Sequence, residues 1–415
     1  MQQSRLIREK LEQATEMMKQ LSIDCWCTYV RETIENRDPA MAFLAGDGHV
    51  VWEAAFLLYK NGRKVAILGA GDHGNYKSLG IYDEVIPYVE SFRAPLRAEL
   101  MKENPSNIAL NYSVDSVSAD GLSHGMFLKL SSYLPEWETR FCSAEPIIDH
   151  LRKCKTGEEK KRIVAAAWET LELFGLLTQE LRPGWTLRNI SDFMHNKMTE
   201  RHLGASWNWH DDPGITSGPN MSAGHAKPDD TLVEPGHILH LDFGIKKDGY
   251  CSDYQRCWYI LKPGETTAPP DIQKAFDTVQ DGIRLAASLI QPGIPGWQVD
   301  QAVRTFLEER GYPVYQHALG HQVGIWAHDG GSVLGPRWER YGNRPYHVLE
   351  QGQIFTLEFG VDTSGGYLAQ EEVIEITEDG CRFLIPMQKQ LWLVQWFTDE
   401  NIRKEVESHG FPRGV

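Results

Sequence analysis

Four carboxylates and one imidazole stand in a fixed order along the C-terminal half of the chain: Asp242, Asp253, His321, Glu358 and Glu371, each in a short strand-like or glycine-flanked segment. Like charges gathered inside a fold repel unless a cation neutralises them or a carboxylate stays protonated. Brought together, these five side chains form a ligand set that can hold two divalent cations side by side. A metal pair generates hydroxide near neutral pH.

The local text turns the acids into a proposal about strands. His240-Leu241-Asp242-Phe243-Gly244 reads as a strand ending in a carboxylate and a turn, and residues 250–256 read as the returning strand, with Lys247-Asp248-Gly249 as the hairpin turn. Asp242 and Asp253 are therefore predicted to face one another across an antiparallel pair, where opposed side chains lie about 4.5–5.5 Å apart at Cβ. Further on, His317, His321 and His328 occupy a stretch punctuated by Gly320 and Gly324. Glycines there point to backbone packed close to a site. Glu358 lies within residues 355–360 and Glu371 at the expected start of a strand over 371–377, both rich in β-branched and aromatic residues. Strand alternation aims one acid inward.

In order and spacing, these residues resemble the pita-bread metallopeptidases, which include methionine aminopeptidase, aminopeptidase P, prolidase and the non-metal relative creatinase. The pattern Asp-x-Gly, Ser-Asp, Gly-His-x-x-Gly, Glu-x-Gly and a Glu followed six residues later by Thr is present within residues 225–377. The resemblance implies that Asp242 chelates one metal, that Asp253 and Glu371 bridge both, and that His321 and Glu358 complete the shell of the other. Glu372 rivals Glu371, and counting back from Thr377 favours Glu371. The resemblance also implies catalytic parts for His225 and His328, which would bind substrate and steady a tetrahedral intermediate, and for Glu358 as acceptor of the water's proton. Each of these histidines has a plainer reading as a capping or packing residue. Hard carboxylates without thiolates favour two manganese ions, with zinc, cobalt or iron as alternatives.

Departures from the pattern surround the ligands rather than replace them. His328-Asp329-Gly330-Gly331 stands where the peptidases usually have His-Glu-x-Pro, Glu358-Phe359-Gly360 where they often have Glu-Pro-Gly, and Ala369 where aminopeptidase P and prolidase commonly carry an arginine. Neighbouring groups tune ligand orientation and substrate fit. The leading expectation is a dinuclear hydrolase that cleaves short peptides at Xaa-Pro bonds, of the aminopeptidase P or prolidase type. The alternative is a non-peptidase on the same scaffold, a lyase or amidohydrolase acting on a small metabolite. A binding protein with a degenerate site is opposed by the presence of all five ligands.

At 415 residues the chain is long enough for two domains with substantial cores. Residues 1–150 alternate helical and strand-like segments: 9–21 has helical spacing, 25–30 reads as a buried strand, 50–58 and 64–68 flank a turn at Asn61-Gly62-Arg63, and 108–111 continues the pattern. This is an α/β layer, loosely resembling the N-terminal domain of creatinase and prolidase. The charged stretch 152–162 supports a boundary near 150. Residues 151–415 contain a faint repeat, in which Pro183-Gly184 and Pro292-Gly293 each join an amphipathic segment to a second helix. With the resemblance, this predicts an α+β pita-bread catalytic domain with a pseudo-twofold repeat, preceded by a smaller α/β domain.

Composition excludes some partners. The formal charge of −15 opposes a nucleic-acid role, because duplex binding relies on Lys and Arg neutralising phosphates. Seven cysteines without a C-x-x-C pair, no apolar leader and no apolar run of 18 residues lead to the expectation of a cytoplasmic protein with reduced thiols and no membrane span. The resemblance implies a homodimer.

Overall fold

The computed structural model describes residues 2–221 and 227–396. The chain divides after Glu158, within the charged stretch, into two compact units. Among the described residues no helix is long and apolar enough to cross a membrane.

The first unit is a six-stranded sheet of β1 (Cys25–Val30), β2 (Ala54–Tyr59), β3 (Lys64–Gly69), β4 (Glu84–Tyr88), β5 (Ile108–Leu110) and β6 (Phe141–Ser143), in the order β4-β3-β2-β1-β5-β6. Every residue of β1 is buried, as its run of Cys, Trp, Tyr and Val leads one to expect of a strand with neighbours on both sides. The sequence places the next strand from residue 50, but it begins at Ala54. The carbonyls of Val50 and Val51 instead accept from the N–H groups of Thr33 and Glu32, outside the sheet. The N-terminal helix Gln2–Leu21 buries Ile7, Leu11, Ala14 and Met18, a spacing that keeps one stripe facing inward.

The second unit realises the repeat. The helix Gly157–Glu180 leads through Pro183-Gly184 to the helix Leu187–Glu200, and Pro270–Leu289 leads through Pro292-Gly293 to Gly296–Glu309. Thr186 starts the helix Leu187–Glu200 with a reciprocal cap: its hydroxyl accepts from the Asn189 N–H, and the Asn189 side chain accepts from the Thr186 N–H.

Strands follow each helix pair. The first set is β7 (Gly204–Ala205), β8 (Gly214–Ser217), β9 (Ile238–Phe243), β10 (Ile245–Lys247), β11 (Tyr250–Cys251) and β12 (Tyr254–Ile260). The second is β13 (Gly320–His321), β14 (Val333–Leu334), β15 (Ile354–Thr363), β16 (Gly366–Ile376), β17 (Cys381–Phe383) and β18 (Trp392–Val394). β9 lies between β8 and β12, while β16 lies between β15 and β17. A bridge between Gly218 and Gly366 and a bond from the Ile238 N–H to the Gly365 carbonyl, 2.7 Å, tie the two sets together.

Period-2 alternation on β15 decides which side chains reach the site. Phe355, Leu357, Phe359 and Val361 join the core that includes Val279 and Ile283 of the helix Pro270–Leu289. Thr356, Glu358 and Gly360 therefore face the other way.

Candidate metal centre

β10 and β11 are joined by Asp248-Gly249, both with positive φ (50° and 83°), a two-residue turn of the type that hairpins favour. The turn fixes the register of the longer pair behind it: Phe243 stands opposite Tyr254 and Asp242 opposite Gln255. The predicted direct opposition of Asp242 and Asp253 is thus corrected. Asp253 sits in the break between β11 and β12, diagonal to Asp242, because a turn centred on Asp248-Gly249 sets the pairing two residues further along. Glu371 also differs from expectation in lying mid-strand, since β16 begins at Gly366. There it pairs with Glu358 across the ladder.

Glu371 and Glu372 are both buried, and alternation sends them to opposite faces. Glu372 meets Arg256 Nη2 at 3.0 Å and accepts from Gln370 and the Gln388 N–H. Glu371 faces His321 and Asp253. These three each present a ligand atom, all within 4.8 Å of one another. His321 Nε2 lies 3.5 Å from Glu358 Oε1, 3.7 Å from Asp253 Oδ2 and 3.8 Å from Glu371 Oε1. Asp242 stands outside that tight trio, yet its charge is among the causes that raise Asp253, Glu358 and Glu371.

His321 reaches this place through close backbone contact, as its glycines predict. A Cβ on Gly320 would lie 2.0 Å from the Thr356 carbonyl oxygen, so only glycine lets β13 approach β15. The Glu358 N–H donates to the Leu319 carbonyl at 2.7 Å and the His321 N–H to Thr356 Oγ1 at 3.1 Å. A buried pair on the helix Gly296–Glu309 holds the approach to this strand: Arg304 binds Asp300 at 2.6 Å and donates to the carbonyls of Tyr315 and His317, and Asp300 accepts from the Leu319 N–H. His317 thus serves this loop through its backbone.

The electrostatics of the acids are those of a cluster without its counter-charge. Burial raises Asp242 to about 7; burial, and then the charge of Asp242, raises Glu358 to about 8 against a hydrogen bond from Gln255. Burial and neighbouring carboxylates push Asp253 and Glu371 well above the ordinary range. Burial, with His328 beside it, holds His321 well below the usual imidazole value, so its ring is a neutral nitrogen donor. Asp242 Oδ1 and Glu371 Oε1 are buried with no hydrogen-bond partner among the described residues. Buried carboxylate oxygens seldom stay unpaired, and orphaned acceptors beside a neutral imidazole fit divalent cations. The centre reaches solvent at Glu358 (18% exposed) and His321 (12%).

His328 is exposed, its ring edge-on to His321 with centroids 4.2 Å apart. His225 lies outside the described residues. Two side chains near the acids escape a motif-based reading. Gln255, two residues after Asp253, donates to Glu358 Oε2 at 2.8 Å, and His240, two before Asp242, meets Gln255 Oε1 at 3.0 Å. Counting by twos along each strand places both on the face of the acids, and that count is the signal that finds them.

Known proteins carry the same arrangement of elements. An X-Pro aminopeptidase from Thermotoga maritima superposes with a TM-score of 0.71 at 21% identity, covering 92% of this chain and 99% of its own. An Xaa-Pro dipeptidase from Bacillus anthracis does so with a TM-score of 0.71 at 20% identity, covering 93% and 99%. In sequence, the chain is similar to an uncharacterized peptidase, YqhT, of Bacillus subtilis, 25% identical over 275 residues, 66% of this chain and 72% of that protein. The sequence profile of metallopeptidase family M24 matches residues 159–383, a span that holds all five predicted ligands and both helix pairs, and the chain belongs to that family.

Proposed function

We propose that the chain is a dinuclear metal-dependent hydrolase that cleaves short peptides at Xaa-Pro bonds. The observation that carries this reading is the charge of the centre: Asp253, Glu358 and Glu371 stand beside a neutral imidazole, Asp242 is near enough for its charge to act on all three, and among the described residues no lysine or arginine is paired with the four. Two divalent cations balance four carboxylates. Asp242, Asp253, His321, Glu358 and Glu371 would hold them. When bound, the pair supplies Lewis-acid polarisation of a carbonyl and acidifies water. Oxygen donors with one imidazole suit manganese, with zinc, cobalt or iron as alternatives.

The protein's own groups divide the remaining work. Glu358, which touches solvent, receives the proton of the attacking water and returns it to the leaving amine. His328, exposed beside His321, donates to the oxyanion that develops on the scissile carbonyl. His225 shares that task in the proposal. The Xaa-Pro preference is supported by the names of the structural neighbours. A homodimer follows from the family resemblance, and seven free cysteines support a reducing, cytoplasmic setting.

A second reading, a small-metabolite enzyme on the same scaffold, is favoured by one observation. Ala369, buried two residues before Glu371, puts no charge on that face, where an arginine would recognise a peptide carboxylate. Purified chain loaded with manganese and offered Xaa-Pro dipeptides and tripeptides tests the proposal. Turnover that a chelator abolishes is expected. Failure with every peptide while metal is bound overturns the proline reading, and turnover confined to a metabolite panel establishes the second.

A further inference from the structure

The side-chain amide of Gln255 bridges a candidate metal ligand and a buried histidine. The side-chain amide lies with one end 2.8 Å from Glu358 Oε2 and the other 3.0 Å from His240 Nε2. A carboxylate that holds a cation is ionised and only accepts, so in the metal-bound centre the NH2 group of Gln255 faces Glu358 and its carbonyl oxygen faces His240, the orientation the structure has. His240 Nε2 must then carry the hydrogen. Its Nδ1 is left as an acceptor, and Thr216 Oγ1 stands 3.5 Å from it. Donation therefore runs one way, from Thr216 to His240 to Gln255 to Glu358.

The imidazole is held on its other side as well. The ring of Tyr367 meets His240 edge-on, with centroids 5.4 Å apart. That ring lies over Gly360, where a Cβ would come within 2.6 Å of Tyr367 Cζ. His240 is 4% exposed and Gln255 7% exposed, so water does not substitute readily for either bond. With Oε2 of Glu358 occupied by Gln255, Oε1 is the oxygen turned to His321, 3.5 Å away.

We infer that Gln255 is a positioning residue for the metal centre, that it fixes which oxygen of Glu358 is offered to a cation, and that His240 fixes Gln255 in turn. The inference rests on the metal-centre reading above and not on the choice of peptide. Groups that orient a metal ligand commonly change affinity by about ten- to a hundredfold when removed.

The test titrates manganese into full-length, chelator-stripped protein by calorimetry, with metal content checked by elemental analysis and the fold by unfolding of the metal-free state. Gln255→Leu should lose about ten- to a hundredfold in manganese affinity while its metal-free unfolding midpoint stays near that of the wild type. His240→Leu should lose part of the same affinity, and His240→Gln, whose amide can donate from near the Nε2 position, should recover it. This pair keeps the test decisive if Gln255→Leu fails to fold. Wild-type affinity in Gln255→Leu, or equal loss in His240→Leu and His240→Gln, overturns this inference alone. Absence of manganese binding by the wild-type chain overturns the metal-centre reading together with it.

Discussion

Two sets of buried carboxylates lie almost back to back in the second unit, and one of them carries its own cations. Glu372 is paired with Arg256 and Asp300 with Arg304, each arginine also donating to backbone carbonyls. Among the described residues, Asp253, Glu358 and Glu371 have a neutral histidine, and not an arginine, beside them, with Asp242 close by. Glu371 and Glu372 are adjacent in sequence and equally buried, so their difference comes from strand alternation alone. The first set is complete within the chain and holds strands in place. The second has no such cation among the described residues, and in the proposed function divalent metal supplies the missing charge.

The comparison breaks if both sets respond alike to neutralisation. Asp253→Asn and Glu371→Gln should each lower peptide hydrolysis by at least about a thousandfold, because a lost ligand forfeits several kcal/mol of transition-state stabilisation. The same variants should leave the metal-free protein as stable as the wild type or more so, since each replaces a buried acid whose ionised form burial and its neighbours oppose. Arg256→Leu should do the reverse. Stranding Glu372 costs about 3–5 kcal/mol whether or not metal is present. Steady-state kinetics and denaturant unfolding, each with and without manganese, check both halves.

A smaller effect is expected from crowding the contact that delivers His321. In Gly320→Ala the new methyl would meet the Thr356 carbonyl, a backbone atom that cannot swing aside. The strands must part, at about 1–3 kcal/mol, and manganese affinity should fall with stability. An unchanged unfolding curve would show that the close approach of β13 to β15 is not needed.

The smallest effect is graded with pH. In the metal-free protein Asp242 and Glu358 keep protons up to about 7 and about 8, whereas unfolded carboxyls release theirs near 3.8 and 4.5. Between those limits the folded state binds more protons, so metal-free stability should fall as pH rises from the ordinary carboxylate range to about 8. Bound cations hold the same groups ionised. The stabilisation that manganese adds should therefore grow over that interval, measured as the difference between unfolding midpoints with manganese and with chelator. A difference independent of pH would separate these carboxylates from the metal.

Much of this arrangement is legible in the residues themselves. The alternation Phe355, Leu357, Phe359 against Thr356, Glu358, Gly360 assigns the faces of β15, and Gly320 announces a close backbone contact. The repeat of helix, Pro-Gly and helix is written twice. The partner of Asp242 is not fixed by the residues alone, because Lys247-Asp248-Gly249 allows more than one turn, and a shift of turn centre moves every partner on the returning strand. Gln255 and His240 carry no motif, because a polar residue in a strand usually faces water, and the fold brings their two strands together so that both point inward. Arg256, three residues beyond Asp253, is paired instead with Glu372.

The central claim is that the second set of acids holds cations, and its most direct test is the metal content of wild-type protein purified without chelator and then titrated with manganese. The account predicts two ions per chain, a rise in the unfolding midpoint on loading, and reduced content in Asp253→Asn and Glu371→Gln. A wild-type chain that takes up no manganese, zinc, cobalt or iron, and whose unfolding is unmoved by any of them, would contradict it.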